Sequence, residues 1–464
     1  INNVEGEMGQ GSRIDIINNY YSEKLKNSRD LFIYVPDGYD AEPDRRYPVV
    51  YMHDGQSIFD SASDTLSGAS WHVDRVVDEL IRTRRICKLI IVGIGNSRSR
   101  ASEYIHRPSV DRVVENSTFG EYKLNAEARG YEYEEFLIHQ LMPFINRNYR
   151  TLTDPQNTAM IGSSMGGLVT YNIGMRNQDI FGKIGVMSPA FFWDDLEYLI
   201  PEEKKALKIW MDVGTGEQDY IDRTENVVRE LYKAGYRFEE DFLYYKVPMG
   251  IHTEEAWGAR VFMPLTYFFG EIGTPVSMEL GGIEKLPPKC SIGSINCLIT
   301  YSSGVTVSNP DVHYLVENNG ILCISPDGRI ETEINGETEI CCTYKKLVAR
   351  KRIFVSDLYS ERVSITIYVK VPEKTPEDSD VYFGSFSMMP LKLDHIDRRT
   401  YKGRFEVTRG EVITFRLRRT ECGFGREDRT AEVGADREEI GVRQILADDE
   451  KELFVEVKNW RDIE

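Results

Sequence analysis

Residues 162–167 read Gly-Ser-Ser-Met-Gly-Gly. They stand between an apolar, strand-like run (Thr158-Ala159-Met160-Ile161) and a helix-compatible one (Leu168 to Met175). A chain that passes from strand to helix through this hexapeptide must turn sharply, and glycines at 162 and 166 permit it. Ser164 then projects from the turn, near the positive end of the helix, where a developing oxyanion is favoured. The five-residue pattern alone carries little weight; the flanking strand and helix give it chemical meaning.

A serine hydroxyl needs a base, and the base needs an orienting acid. In α/β-hydrolases these follow along the chain as Ser, then Asp or Glu, then His. Here Lys208–Val213 reads as a strand and runs into Gly214-Thr215-Gly216-Glu217-Gln218-Asp219. A helical stretch follows over about 224–235. Asp241–Val247 then reads as another strand, ahead of Pro248-Met249-Gly250-Ile251-His252. Both loops follow strands, at the sheet edge where such sites assemble. His252 is the expected base. Glu217 is the expected acid, with Asp219 as its competitor. The oxyanion requires two backbone donors. One is expected from Met165, directly after the nucleophile. The other is expected at Gly55 or Gln56, in the turn after the strand Tyr47–Met52. His53 and Asp54 lie in the same turn, but no further metal-type ligands accompany them, so no metal site is expected.

These stretches, with several more, carry a resemblance. Tyr34-Val35-Pro36-Asp37-Gly38-Tyr39, Met52-His53-Asp54-Gly55-Gln56, Ile91-Val92-Gly93-Ile94-Gly95-Asn96, Arg100 with Glu103-Tyr104, Leu141-Met142-Pro143-Phe144-Ile145 and Met187-Ser188-Pro189-Ala190 all contribute. From about residue 20 to about 270 the chain resembles the esterase D and enterochelin-esterase-like group, which includes feruloyl and acetyl-xylan esterases. The resemblance implies an α/β-hydrolase fold, no cofactor, hydrolysis of carboxylic esters, and a triad of Ser164, an acid in the 214–219 loop, and His252. The family often has Gly-Thr-x-Asp in the acid loop, whereas this chain has Gly-Thr-Gly-Glu with Asp219 two residues on. The family pattern points to 217, and counting back from the helix points to 219.

At 464 residues the chain exceeds what one core usually supports. Its 41% hydrophobic and 11% aromatic content are globular values. A net charge of −18 opposes nucleic acid and anionic membranes as partners. No run of apolar residues is long enough to span a membrane. The chain begins Ile-Asn-Asn-Val, and the expectation is an exported bacterial protein (periplasmic, cell-surface or secreted) with its leader removed. Of the seven cysteines, six follow the hydrolase part and match no zinc spacing; they are expected to be mostly buried, apolar side chains.

The pattern changes near Gly273-Thr274-Pro275. Strands alternate with helices before it, with helices expected at Val73–Thr83, Tyr131–Asn148 and Thr224–Ala234. After it come short alternating runs separated by turns such as Asn318-Asn319-Gly320 and Pro326-Asp327-Gly328. The expected division is an α/β-hydrolase domain over 1–272 and two all-β sandwiches over 273–358 and 359–464. Val305–Ser308 and Ile321–Ile330 resemble a bacterial Ig-like domain, expected to act as a spacer. The last part, from Val363 to Trp460, resembles a starch-binding type of carbohydrate-binding module, which implies possible glycan binding. Where that family often has tryptophans for stacking, this chain has Ser387-Met388-Met389-Pro390 and Glu421-Cys422-Gly423-Phe424.

Trp71, Tyr104 and Trp193, with Phe191 and Phe192, are the candidates for an aromatic substrate wall. The reading is thus a serine esterase acting on a small-molecule or polysaccharide-borne ester of feruloyl or acetyl type. Its rivals are an enterochelin-like siderophore lactonase, for which Arg98, Arg100 and Arg107 would supply cations, an acyltransferase, and a glycan-binding protein with a vestigial hydrolase domain.

Overall fold

The computed structural model describes residues 11–59, 70–106, 110–116, 120–191, 203–291, 294–310, 312–385, 390–419, 430–436, 440 and 443–463, with the backbone alone at 110–116, 120–126, Gln218 and Asp219. Eight strands form the first sheet: β1 (Arg13–Ser22), β2 (Asn27–Val35), β3 (Val49–His53), β4 (Ile90–Ile94), β5 (Thr158–Ser163), β6 (Lys183–Met187), β7 (Lys208–Gly214) and β8 (Phe242–Val247). Their order is β1-β2-β4-β3-β5-β6-β7-β8. β1 and β2 pair antiparallel, β2 meets β4 antiparallel, and β4 through β8 run parallel. This is an α/β-hydrolase fold. The central strands β3, β4 and β5 are buried throughout, as a sheet covered on both faces requires.

Helices cover both faces: α1 (Val73–Arg82), α2 (Gly130–Phe136, Leu137–Leu141 and Met142–Asn148 in succession), α3 (Met165–Arg176), α4 (Gln218–Lys233), α5 (Glu254–Gly258) and α6 (Phe262–Phe269). One core gathers residues of α2, α3 and α4, including Phe136, Val169 and Leu231. The opposite core takes α1 and α6, through Val77 and Leu265, and runs on into the β region through Ile299, Val307 and Ile353. In α2, Leu137–Leu141 forms a π-helical turn, which adds a residue per turn and shifts the face that follows.

Beyond residue 274 the described residues are mostly β strands in small sheets, with a 3-10 turn at Asp357–Ser360. Pro275–Gly282, Ile295–Tyr301 and Thr306–Ser308 form one; Lys285–Leu286, Leu347–Val355, Gly336–Tyr344 and Tyr314–Val316 form another. Two four-stranded sheets follow, one around Arg362–Lys370 and Thr400–Thr408, the other around Tyr382–Ser385 and Val412–Arg418. Phe383 of the second packs at a tilt, 4.8 Å between ring centroids, on Phe405 of the first, inside their shared core. Trp460 is buried there and donates to Thr375 Oγ1 at 2.8 Å.

Of the six described cysteines, Cys297 and Cys342 are buried, whereas Cys87 and Cys323 are exposed and Cys290 and Cys341 partly so. The expectation of mostly buried cysteines is therefore corrected. Alternation along a strand turns neighbours to opposite faces, so Cys341 and Cys342 cannot both face the core. Cys422 lies outside the described residues, as do Ser387–Met389 and Glu421–Phe424.

Candidate active site

Parallel strands β5 to β8 end at one edge of the sheet, and the loops that follow them meet there. Ser164 links β5 to α3 with φ 57° and ψ −124°, a conformation that costs a non-glycine residue about 1–3 kcal/mol. Neighbours hold it: its N–H donates to the Met187 carbonyl and its carbonyl accepts from Ala190, both at 3.0 Å. A Cβ on Gly162 would lie 2.4 Å from the Gly166 carbonyl oxygen, so the turn closes only with glycine there. α3 is buried from Met165 to Met175. Its first residues carry backbone N–H groups without helical partners.

The 214–217 turn and the 247–252 loop are laced together. Thr215 N–H donates to the Val247 carbonyl and Gly216 N–H to the Gly250 carbonyl, both at 2.9 Å. This brings Glu217 Oε1 to 2.7 Å from His252 Nδ1, with both side chains almost fully buried. Among the described side chains, the carboxylate that meets the imidazole is Glu217. The Asp219 side chain lies outside the described residues. Burial would raise the Glu217 carboxyl, but the His252 hydrogen bond and charge, Arg260 and the Gly214 N–H together hold it below its usual value. The His252 ring packs against Tyr220 at 4.5 Å and edge-on to Trp257 at 4.8 Å.

A layer behind this pair carries no sequence motif. Ser188 Oγ donates to Glu217 Oε2 at 2.9 Å and accepts from Trp257 Nε1 at 3.1 Å and an Arg260 nitrogen at 2.8 Å. Arg260 also grips Asp212 Oδ1 with two nitrogens, and Trp210 Nε1 donates to Asp212 Oδ2 at 2.7 Å. Burial raises the Asp212 carboxyl despite Arg260. The one available signal was Ser188 within Met187-Ser188-Pro189-Ala190; the others sit on separate elements that only the strand order unites.

After β3, Gly55–Ser57 forms a 3-10 turn beside the elbow. A Cβ on Gly55 would lie 2.5 Å from the Gly93 carbonyl carbon, so glycine allows the turn to press against β4. His53 Nδ1 lies 2.9 Å from the Tyr133 hydroxyl, and burial lowers the imidazole pKa to about 4, so the ring is neutral. Asp54 is held by Arg100 through two bonds of 2.7 and 2.8 Å. Arg100 is therefore committed to Asp54; Arg98 is exposed, and Arg107 lies outside the described residues.

Three of the wall candidates are buried. Trp71 packs on Trp257 at 5.7 Å, behind the His252 ring. Tyr104 has no exposed surface and lies against His53, with its hydroxyl 3.3 Å from Asp54 Oδ1. Phe191 is buried on Tyr171, and Phe192 and Trp193 lie outside the described residues.

The sequence model of a putative esterase family matches residues 22–266, more than half of the chain. The chain belongs to this esterase family. It is a serine ester hydrolase with an α/β-hydrolase fold. A Bacillus subtilis protein, YbbA, described as uncharacterised, is 24% identical to this esterase over 262 residues, spanning 54% of this chain and 96% of YbbA. The endo-1,4-beta-xylanase/feruloyl esterase of Xylanibacter ruminicola is 28% identical over 230 residues, 47% of this chain and 27% of that protein. The solved enterobactin esterase of Shigella flexneri is 18% identical, with a TM-score of 0.42 over 55% of this chain and 58% of that one. No helix among the described residues of this esterase is long and apolar enough to cross a membrane.

Proposed function

We propose that this esterase cleaves acyl esters of feruloyl or acetyl type, carried on plant or microbial polysaccharide, with Ser164, His252 and Glu217 as its triad. The single observation that carries the triad is the buried 2.7 Å contact between Glu217 and His252, at the sheet edge where Ser164 turns into α3. Glu217 fixes the tautomer with the proton on Nδ1, which leaves Nε2 as the base. Ser164 Oγ attacks the ester carbonyl while His252 takes its proton. The tetrahedral oxyanion is stabilised by the Met165 N–H and an N–H of the Gly55–Gln56 turn. His252 returns the proton to the departing alcohol, and water, activated the same way, releases the acid. Losing one oxyanion donor costs roughly 3 kcal/mol of barrier.

The polysaccharide part of the reading is supported by the β region and by the name of the Xylanibacter relative. Phe454 is 77% exposed on an edge strand, and its ring lies parallel to Tyr368 at 4.8 Å. Such an apolar face, flanked by Lys402 opposite Tyr368 and by Glu452 two residues before Phe454 on the same strand, suits the C–H face of a pyranose. We place glycan contact there, in the β unit spanning 359–464, and treat the preceding 273–358 as a spacer. A polysaccharide substrate is met outside the cell, so this reading carries export with it.

The test is acid release from 4-nitrophenyl acetate, methyl ferulate, feruloylated arabinoxylan and acetylated xylan, with Ser164→Ala beside the wild type. Turnover of the feruloyl or acetyl glycans that disappears in Ser164→Ala is expected. No turnover of these by folded protein, with turnover of a catecholate trilactone, would overturn the substrate class. Commitment of Arg100 to Asp54 weighs against the trilactone, whose catecholates call for free cations.

A further inference from the structure

Asp54 directly precedes the proposed oxyanion turn. Its backbone is left-handed, φ 58° and ψ 45°, a region asparagine and aspartate enter more readily than other side chains. Its carboxylate reaches the first turn of α3: Oδ2 is 3.2 Å from where a Cβ on Gly166 would stand, two residues after Ser164. A buried negative charge at that place opposes the charge that develops on the substrate oxygen.

Arg100 answers it. The guanidinium meets both carboxylate oxygens, Nε to Oδ1 at 2.7 Å and a terminal nitrogen to Oδ2 at 2.8 Å, with less than a fifth of either side chain exposed. The fork matches the carboxylate in plane and charge. Asn96 holds the turn from two sides. Its Nδ2 donates to Asp54 Oδ1 at 2.6 Å and its backbone N–H donates to Gln56 Oε1 at 3.0 Å. The Tyr104 hydroxyl completes the ring at 3.3 Å from Oδ1, and its ring lies under the guanidinium at 5.1 Å.

We infer that Arg100 is a positioning residue that neutralises Asp54 beside the oxyanion and, with Asn96, holds the Gly55–Gln56 amides in place. This inference rests on the proposed role of Ser164. The other charged and titratable groups around Asp54 are His53, kept neutral by burial, Tyr104, Tyr133, Glu254 beyond Arg100, and the buried Arg29–Glu103 pair at 3.0 Å. Arg29 and Glu103 compensate each other, which leaves Arg100 as the counter-charge of Asp54.

The test compares Arg100→Met, Arg100→Lys and the double variant Asp54→Asn/Arg100→Met on 4-nitrophenyl acetate, between pH 6 and 8. Arg100→Met is expected to lose about 10²-fold in kcat with KM changed by less than threefold, the size of losing an oxyanion donor. Its deficit against wild type shrinks as pH falls, because protonating the unpaired Asp54 removes the opposing charge. The double variant recovers at least tenfold over Arg100→Met, because it carries no buried anion. A purely structural ion pair lowers the thermal midpoint and the folded fraction of Arg100→Met, but leaves kcat per folded enzyme within threefold of wild type at every pH, and that result overturns the inference. Should Arg100→Met fail to fold, Arg100→Lys decides. It keeps the charge and loses the fork, and kcat within tenfold of wild type is expected; a loss of 10²-fold or more overturns the inference. Ser164→Ala in the same series separates the two readings. If it retains turnover, the triad fails; if it is dead while Arg100→Met matches wild type, only the counter-charge fails.

Discussion

The elbow at Ser164 and the loop that carries His252 were legible as positions, because each belongs to a local pattern: a turn between strand and helix, and a loop after a strand. The acid was left open between Glu217 and Asp219. Two carboxylates two residues apart look alike in sequence, and the lacing of the 214–217 turn to the 247–252 loop is what brings Glu217 to the imidazole. Ser188, Asp212, Trp257 and Arg260 were not legible as a group. They come from four places in the chain and share no spacing, yet they satisfy one another's buried polar atoms. Glu217→Gln tests this scale. The glutamine keeps the shape but cannot hold the same tautomer or stabilise the imidazolium, so kcat is expected to fall by about 10,000-fold with KM little changed. Steady-state kinetics on 4-nitrophenyl acetate reads this directly, and a loss below tenfold would remove Glu217 from the triad.

Strands β3, β5, β7 and β8 lie within a residue or two of the positions the apolar runs indicated, because a buried parallel strand leaves a continuous apolar signature. Helix starts were less visible. α3 begins at Met165, inside the elbow, and α4 at Gln218, well before the expected 224. In both cases the turn residues enter the helix directly, with no side-chain cap to mark the boundary. The π-helical turn in α2 has no composition of its own and could not be read. The elbow sets the tolerance at this scale. Gly162→Ala forces a methyl group into the Gly166 carbonyl, and overpacking of this kind costs about 1–3 kcal/mol. A thermal melt should show the lower midpoint, together with lost activity, since the strain falls on the strand that presents Ser164. An unchanged midpoint would mean that the turn relaxes freely.

The β region was legible as β structure, while its attachment to the hydrolase was not. Lys246 of edge strand β8 has its N–H bonded to Ser308 Oγ and its carbonyl to Asn296 Nδ2, both at 2.8 Å, so side chains of the β region cover the sheet edge. The last β unit also meets the histidine loop, through Gln444 at Met249 and through the Arg461–Glu255 pair at 3.5 Å. The far face of that unit, around Tyr368 and Phe454, is where the glycan proposal is tested. Phe454→Ala is expected to weaken retention on insoluble arabinoxylan in a pull-down, by at most about 1.5–3 kcal/mol, the size of fully burying a Phe side chain, without altering turnover of 4-nitrophenyl acetate. Retention equal to wild type would remove this face from glycan contact.

The central claim is that the acyl group passes through Ser164. Quenching the enzyme with acid during turnover of a slow aryl ester and mapping the acylated peptide by mass spectrometry tests it most directly. The expected result is an acyl group on the peptide carrying Ser164, lost together with turnover in Ser164→Ala. Acylation at another residue, or full turnover in Ser164→Ala, would contradict it.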